Sequence, residues 1–528
     1  MIWNIFKKDW KRLWNYAAAL AVYQIVAAAN LSRIGSDTFG NVSRALELTQ
    51  KGSAFIVLAG GSFLIGLIAL QDPIPGVGQD WLVRPIRRRD LLLAKLLTIA
   101  MLIHVPMFAA DALYGVTNHF PIGQALTFAA SRSILIFVVM SIPILALFSL
   151  TRNFIEAIVM GLIMAAGFMA IMMFSYTNTW RSNWNYFVTG ETDYDWVSHS
   201  AGYVILIAGA AVILVLQYFR RRTSASRIVA VIAWFIFVAV SCFLPWNMAY
   251  AIGEKFSLNP NLGEDIKLTF DSAGERFKTM PQTPDERNSA MYLPLKVTGM
   301  PEDSFLRADV YMTRAYFPSG DWRELSLDQK ADFSANGPGY LKIEMAPFDW
   351  RFEEPLNDSR LKTQPMQLEI ELWMTLFQAV ESSEMHSMGA PMTVNGVTCL
   401  HSSNVVSTAW DDLSEMEVDL GCTPVPKPYC YTAVFKDPPA PYVNRPALSC
   451  GEDYKPFLGK ILPGGTSIQT VTYLRDPARI VRYPAGSQDL FKSKIILTSY
   501  RPVDHFKRKL VIPNIRRSDW TAVRLSAN

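Results

Sequence analysis

Seven apolar runs, each about as long as a membrane-spanning helix, occupy the first half of the chain. A hydrocarbon core about 30 Å thick needs roughly 20 mostly apolar helical residues, so each run predicts one span. Residues 253–528 contain no such run and alternate short apolar stretches with Pro, Gly, Asp and Asn. The sequence therefore predicts an α-helical polytopic membrane domain over 14–252, followed by a soluble domain over 253–528. The predicted spans are 14–30, 53–71, 91–113, 130–150, 153–175, 201–219 and 228–250.

The segment before the first span, residues 1–13, has the pattern of an amphipathic helix. It lacks the basic, apolar and small-residue succession of a cleavable signal peptide. Apolar side chains can share one face, cations supply a polar face, and tryptophans suit the headgroup layer. We expect an interfacial helix lying on the membrane surface, and the alternative is the polar end of the first spanning helix. The residues concerned are Ile2, Ile5, Phe6 and Leu13, then Lys7, Lys8, Lys11 and Arg12, then Trp3, Trp10 and Trp14.

The distribution of Lys and Arg predicts the orientation of the spans. Positive charge accumulates in cytoplasmic loops of membrane proteins. With the N-terminus in the cytoplasm, every loop on that side is basic, whereas the segment 114–129 on the other side has no Lys or Arg. An odd number of spans then places the C-terminal domain outside the cytoplasm. The cytoplasmic cations after the first helix are Arg84, Arg87, Arg88, Arg89, Arg152, Arg220, Arg221, Arg222 and Arg227.

The five cysteines agree with this orientation. Cys242 lies in the last predicted span, and the other four all lie in the domain expected outside. An even number of cysteines in an oxidising compartment predicts two disulfides, and pairing of sequence neighbours is the simplest of three connectivities. Zinc is the alternative, disfavoured because no two of these cysteines have the close spacing of a structural zinc site. The predicted pairs are Cys399 with Cys422 and Cys430 with Cys450.

The soluble half has the pattern of an all-β domain. Short runs with period-two alternation are separated by Pro-Gly and Asn-Gly turns, which favours one sandwich-like domain or two smaller ones. Asn395-Gly396 predicts a tight hairpin. The predicted strands are 266–270, 293–299, 308–317, 341–348, 366–374, 392–400, 416–420, 429–435, 467–474, 494–500 and 507–513.

The chain carries few signs of chemistry of its own. It has no GxxxxGK[ST] phosphate loop, so we expect no ATP hydrolysis by this chain alone. No G-x-S-x-G or H-E-x-x-H motif occurs, and the six histidines are scattered. We therefore predict no catalytic residue and no metal site. The net charge of +4 gives no reason to expect a nucleic-acid partner.

Polar residues within spans are functional candidates, because a charge in lipid is costly. His104 and Asp111 are seven residues apart and can share a face of the third span. In the plainer alternative, His104 bonds a neighbouring helix and Asp111 reaches the outer interface. Glu156 lies one turn inside the fifth span, where we expect a local pair with Arg152. No span carries a chain of acidic residues, which argues against a proton-coupled pump.

Small residues predict two places where helices pack closely. Ser62 and Gly66 in the second span, and Gly161 and Ala165 in the fifth, are four residues apart. This spacing lets helix backbones approach one another in membranes.

The loop between the second and third spans holds a basic and apolar segment, DWLVRPIRRRDLLLAKLL, at residues 80–97. We expect the arginines to keep the loop in the cytoplasm. Cytoplasmic retention requires only positive charge, and this loop also contains apolar residues, so we expect it to contact a partner protein. Asp90 is expected to cap the third span. The residues assigned to this coupling loop are Trp81, Leu82, Arg84, Pro85, Ile86, Arg87, Arg88 and Arg89.

This loop, following an amphipathic start and a second span, resembles the permease subunits of type-2 ABC exporters over about residues 1–220. The resemblance implies that the loop contacts a separate ATPase subunit, which binds ATP and Mg²⁺, while this chain carries no cofactor. It also implies a second permease copy or homologue, a lipid-like or peptide-like substrate, and a bacterial inner membrane with the β domain in the periplasm. The seventh span and the β domain depart from the usual six-span unit. The alternatives are a membrane-anchored binding or assembly protein, and a membrane-embedded enzyme.

Overall fold

A computed structural model shows how these segments fold. It describes residues 2–34, 42–71, 87–117, 120–179, 195–244, 246–255, 257–274, 278–279, 290–334, 339–344, 364–386, 392–406, 415–422, 429–437, 442–445, 448–450, 466–474, 494–520 and 523–524. The chain forms two compact units, one built mainly from the residues up to Ala249 and one mainly from Tyr250 onward.

The first unit is a bundle of long helices. Three short π-helical segments, Ala100–His104, Phe137–Ser141 and Leu216–Arg220, lie within or at the end of helices that otherwise continue without a break. The helices up to the start of the β unit are α1 (Ile2–Ile34), α2 (Val42–Leu70), α3 (Arg88–Ile99), α4 (Val105–Thr117), α5 (Ile122–Ile136), α6 (Ile142–Ser149), α7 (Phe154–Thr179), α8 (Asp195–Val215), α9 (Thr223–Phe243) and α10 (Trp246–Lys255).

Five helical stretches in the described part of the chain are long and apolar enough to cross a membrane. They correspond to the third through seventh predicted spans. The first two predicted spans lie on α1 and α2, and the apolar part described in α2, Ile56–Leu70, is shorter. The count of seven therefore stays a prediction. The five stretches are Arg89–Thr117, Ile122–Ser149, Phe154–Ile171, Ser200–Arg220 and Thr223–Cys242.

The exposed surface of the bundle supports a lipid environment. Helix α7 presents large apolar side chains along its length, with Ile155 and Ile163 being 74% and 66% exposed. A helix that is apolar all round is stable in contact with lipid or with another membrane helix, but not with water. Inside the bundle, α1, α2, α3 and α6 share one apolar core that includes Leu13, Ile65 and Ala94.

Helix α1 is continuous from Ile2 to Ile34, so the predicted interfacial helix and the first predicted span form one element. The predicted apolar face of residues 1–13 is buried, since Ile5, Phe6 and Leu13 are less than a tenth exposed. Ile5 and Leu13 join the core of the bundle rather than face lipid. The segment 1–13 is therefore the start of α1, and its place relative to a membrane stays a prediction.

The second unit is rich in β-strands, and α11 (Arg517–Trp520) follows its last long strand. Most predicted strands appear, although several are longer than predicted. The strands are β1 (Lys267–Phe270), β2 (Lys278–Thr279), β3 (Ala290–Thr298), β4 (Ser304–Tyr316), β5 (Trp322–Ser334), β6 (Gly339–Glu344), β7 (Met366–His386), β8 (Met392–Val394), β9 (Val397–Val406), β10 (Glu415–Cys422), β11 (Cys430–Phe435), β12 (Tyr442–Arg445), β13 (Thr466–Leu474), β14 (Lys494–Ile515) and β15 (Val523–Arg524).

Three antiparallel sheets and one small parallel pair contain these strands. The central sheet has the order β11-β14-β7-β4-β5, and the other two antiparallel sheets have the orders β1-β3-β6 and β12-β13-β10-β9-β8. The parallel pair joins β15 to β2. The predicted Asn-Gly hairpin is confirmed, because Asn395 and Gly396 both have positive φ, at 45° and 76°, between β8 and β9.

The long strand β14 contributes to two separate apolar cores, and β7 contributes to the first of them. One core lies between the central sheet and the sheet of β1, β3 and β6, and it includes Met291, Leu372 and Leu510. The other core lies where β11 and the start of β14 pack against the sheet of β8, β9 and β10. In each core two sheets pack face to face, which is the layered arrangement of a β-sandwich. The unit therefore combines features of both predicted alternatives, with two cores that share the strand β14.

Candidate functional site

Most of the predicted coupling loop lies outside the described residues. Trp81, Leu82, Arg84, Pro85 and Ile86 all fall in the undescribed range 72–86, so their assignment to an ATPase contact stays a prediction. The described part begins at residue 87.

The end of the loop leads directly into α3. Arg87 is the residue preceding the helix, and Arg88 and Arg89 open it. Asp90 was expected to cap the helix, but it lies in the first turn, and its backbone N–H donates to the carbonyl of Arg87 at 2.9 Å. An acidic side chain in the first turn still interacts favourably with the helix dipole. The three arginines thus stand at the start of a helix that continues into the bundle.

A buried ion pair ties the start of α3 to α1. The Lys95 ammonium donates to Asp9 Oδ2 at 3.0 Å, and both side chains are 0% exposed. Breaking such a pair leaves an uncompensated charge in apolar surroundings, which is strongly unfavourable.

Helix α1 also packs against the following π segment and α4. Because Asp9 lies near the start of α1 and meets α3, the contacts with α4 must come from later in α1. The two helices therefore run in the same direction.

The next polar contact along this helix joins two π-helical segments. His104, the last residue of one π segment, lies with its Nε2 at 2.8 Å from the Oγ of Ser141, the last residue of the other. The imidazole also stands edge-on to Phe137, at 5.1 Å between ring centroids. The prediction that His104 bonds a neighbouring helix agrees with this geometry. π-Helical turns are rare and recur at functional sites. The contact between two of them makes this part of the bundle a candidate functional site.

A second buried ion pair lies closer to the far end of α4. Arg132 Nη1 donates to Asp111 Oδ1 at 2.5 Å, and the two side chains are 6% and 2% exposed. The alternative prediction, in which Asp111 reaches the outer interface, is wrong, because α5 supplies a partner within the bundle. Arg132 lies near the start of the fourth predicted span, 130–150, and the sequence did not identify it as the partner of Asp111.

These three contacts form what we name the polar column: Asp9–Lys95, His104–Ser141 and Asp111–Arg132. They lie along one helix, nine and then seven residues apart, so the column extends over about 24 Å of helix axis. Each contact is satisfied across the bundle by a different element, α1, the second π segment and α5. The arrangement fixes the helix that follows the loop to its neighbours, because rotating or sliding it would separate buried charges.

Glu156 lies at a more exposed position than the column. It accepts from Arg227 Nη2 at 3.0 Å on α9, and Arg227 also donates to the carbonyl of Leu150. The expected partner, Arg152, contributes its backbone N–H at 2.9 Å rather than its guanidinium. Because the two side chains of the ion pair are 48% and 38% exposed, the contact joins α7 to α9 without desolvating either charge.

Both predicted disulfides are present in the β unit. Cys399 and Cys422 are bonded directly across the β9–β10 pair, and Cys430 at the start of β11 is bonded to Cys450. Cys242 is free and buried. Among the described residues no group of three or more His, Cys, Asp or Glu side chains could hold a metal ion.

A buried arginine fixes the segment of the second disulfide. Arg307 on β4 is 2% exposed and forms a two-pronged ion pair with Asp332 on β5, at 2.6 and 3.0 Å. The same guanidinium donates to the carbonyl of Leu448 and lies 3.2 Å from Cys450 Sγ. These contacts dock the segment around Cys450 against the central sheet, which is a structural role.

Asp9, Lys95, Arg132 and Ser141 were missed as site residues by the sequence analysis. Asp9 and Lys95 are 86 positions apart, and each resembles an ordinary charge at a helix end. Asp9 lies before the first predicted span and Lys95 near the start of the third, so the signal that could have found them is their opposite charge near the same expected membrane surface.

A scan of protein-family models and a search of curated proteins found no match for this chain.

Proposed function

We propose that this chain is the membrane-spanning permease subunit of an ABC exporter. A separate ATPase subunit binds ATP and Mg²⁺ and meets the loop over Trp81 to Arg89. A second copy or homologue completes the transporter, and the substrate is lipid-like or peptide-like.

The observation that carries this proposal is the buried contact between Lys95 and Asp9, six residues beyond Arg89. A loop that receives a push from an ATPase must be joined rigidly to the spans that respond. Here the loop ends at Arg87, α3 begins at Arg88, and Lys95 is bonded to α1 within two turns. A displacement of the loop would therefore move α3 and α1 together as a rigid body.

The proposed placement puts the loop in the cytoplasm and the β unit in the periplasm of a bacterial inner membrane. Arginine and lysine enrichment at the cytoplasmic loops supports this orientation. Two disulfides in the β unit support an oxidising environment on its side.

Co-purification tests the proposed association. The full chain, extracted from its native membrane in mild detergent, should retain a protein with a GxxxxGK[ST] phosphate loop, identified by mass spectrometry. Replacing Trp81, Arg87, Arg88 and Arg89 together by alanine should remove that protein. The matched control replaces Arg220 and Arg222, which are exposed cytoplasmic cations outside the loop. Equal recovery of the ATPase with the loop variant would contradict the assignment.

The second candidate is a membrane-anchored binding or assembly protein. The observation that favours it is the size of the β unit, which takes up about half the chain and has two apolar cores of its own. The same purification distinguishes the two candidates: this one predicts no ATPase and a partner that stays bound when the loop is altered.

A further inference from the structure

The first turns of α1 present a stripe of tryptophan and lysine on the side facing away from the bundle. Successive members of this stripe, from Trp3 to Trp14, are four, three, one and three residues apart, which places them on one face of an α-helix. Trp3, Trp10 and Trp14 are 57%, 39% and 52% exposed. We name this set the headgroup stripe: Trp3, Lys7, Trp10, Lys11 and Trp14.

The orientation of the stripe is fixed by the buried side of the same helix. Ile5 and Leu13 pack into the core of the bundle, and Asp9 is bonded to Lys95. The sequence alone favoured the opposite arrangement, with the Ile5 and Leu13 face in the membrane interface. Packing therefore leaves the tryptophans and lysines, not the aliphatic side chains, as the outward surface of these turns.

The length of α1 places the stripe at the level of the lipid headgroups. The helix has 33 residues, which corresponds to about 50 Å, against a hydrocarbon core about 30 Å thick. The first predicted span begins at Trp14, so the stripe lies where the helix leaves the hydrocarbon on the cytoplasmic side. Tryptophan is enriched at this depth, because its ring is apolar and its N–H is polar.

The charge of the stripe is uncompensated by the helix that carries it. Asp9 is the one acidic residue in the sequence of Ile2–Ile34, and it is buried against Lys95 on the opposite side. Lys7 lies over the ring of Trp3 at 5.9 Å, so a cation and an aromatic face are presented together. We propose that the headgroup stripe binds an anionic phospholipid, with Lys7 and Lys11 on the phosphate and the tryptophan rings beside the glycerol and upper acyl chains.

Native mass spectrometry of the full chain in detergent tests this proposal. The protein is equilibrated with equal amounts of phosphatidylglycerol and phosphatidylcholine of matched acyl chains, and the retained lipids are counted. We expect phosphatidylglycerol to be retained preferentially. Lys7→Gln with Lys11→Gln should lower that preference on the order of tenfold, since each cation near a membrane surface contributes roughly a fivefold preference for anionic lipid.

Two control variants separate the stripe from general effects of charge. Lys7→Arg with Lys11→Arg keeps the charge and should keep the preference. Arg12→Gln removes an exposed cation of the same helix that lies off the stripe, and should lower the preference clearly less than the double lysine variant does. Far-ultraviolet circular dichroism of each variant confirms that the helices are intact.

Three results would overturn the proposal. The first is an unchanged lipid ratio in Lys7→Gln with Lys11→Gln, and the second is an equal loss in Arg12→Gln. The third is an unchanged lipid ratio with loss of a bound protein, which would make the stripe a protein interface. The lipid ratio does not depend on an ATPase partner, so this proposal and the proposed function can fail separately.

Discussion

At the residue scale, the helical unit is organised by charges that sequence patterns leave unpaired. Lys95 and Asp9 are 86 positions apart in the sequence, yet both are fully buried and bonded to each other. Asp111 likewise finds Arg132 rather than the outer interface. The candidates His104 and Asp111 were predictable because ionisable groups inside spans are rare. Their partners were not, since pairing depends on which helices become neighbours.

Removing one member of the Asp9–Lys95 pair should destabilise the helical unit. Lys95→Met removes the buried and closer of the two cations beside Asp9, since the half-exposed Lys8 lies at 3.8 Å from the carboxylate, and we expect a loss of about 3 kcal/mol. Adding Asp9→Leu to the same chain should restore most of it, because neither charge then remains. Thermal unfolding in detergent measures both. Glu156→Gln removes one charge of an exposed pair and should cost less than about 1 kcal/mol. An equal loss of stability at both pairs would contradict the role of the buried pair in holding α3 to α1.

His505 should make the β unit less stable in acid. Burial lowers the pKa of this imidazole from 6.5 to about 4, and its Nδ1 lies 3.0 Å from Ser257 Oγ. Between those pH values the unfolded chain binds a proton that the folded chain does not. Stability should therefore fall as pH falls through that window, by up to about 1.4 kcal/mol per pH unit.

The comparison of wild type with His505→Gln isolates this effect from other titrating groups. Unfolding of both proteins is followed from pH 7 to pH 4, and the difference between their stabilities is plotted against pH. A difference that stays constant across the series would show that His505 is accessible to protons in the fold.

At the element scale, continuity was harder to predict than the existence of helices and strands. Two strands were expected at 494–500 and 507–513, but β14 is one strand from Lys494 to Ile515. Pro502, which has no N–H to donate to a neighbouring strand, lies between the two predicted strands. The structure absorbs it with a register shift between Pro502 and Asp504. Such a register shift depends on the partner strand, here β7, so it cannot be predicted from the local sequence alone.

Gly66 and Gly161, both predicted at close packing sites, should respond oppositely to alanine. A Cβ on Gly66 would lie 2.5 Å from the Phe148 ring and 2.8 Å from Phe154. A Cβ on Gly161 would meet Leu147 at 3.8 Å, an ordinary contact. We expect Gly66→Ala to cost about 1–3 kcal/mol through overpacking, and Gly161→Ala to be neutral or slightly stabilising. Thermal unfolding in detergent compares them, and equal midpoints would contradict the packing of α2.

The Cys399–Cys422 bond should stabilise the sheet of β8, β9 and β10. It closes a loop with a sequence separation of 23, for which the chain-entropy model gives roughly 3 kcal/mol. Replacing both cysteines by alanine should lower the unfolding midpoint of the β unit accordingly. Cys242→Ala, which breaks no crosslink, is the control. The bond would be incidental if both variants unfolded at the wild-type midpoint.

At the scale of the whole molecule, hydropathy predicted the division of the chain most securely. The apolar runs became long helices, and the punctuated half became sheets, because each pattern reflects the period of one kind of element. Five stretches of the described chain could cross a membrane. In the proposed function, the short loop at residues 80–89 receives the push of the ATPase and the helix that continues from it transmits the push. The contact of α3 with α1 supports the proposal that both helices would then move together.

ATP hydrolysis tests the central claim most directly. The co-purified ATPase is reconstituted in vesicles alone and then together with this chain, and the rate of phosphate release is measured in each case. A permease subunit coupled through Trp81 to Arg89 should raise the rate severalfold, and the alanine replacement of Trp81, Arg87, Arg88 and Arg89 should return it to the rate of the ATPase alone. Identical rates with and without the wild-type chain would contradict the account.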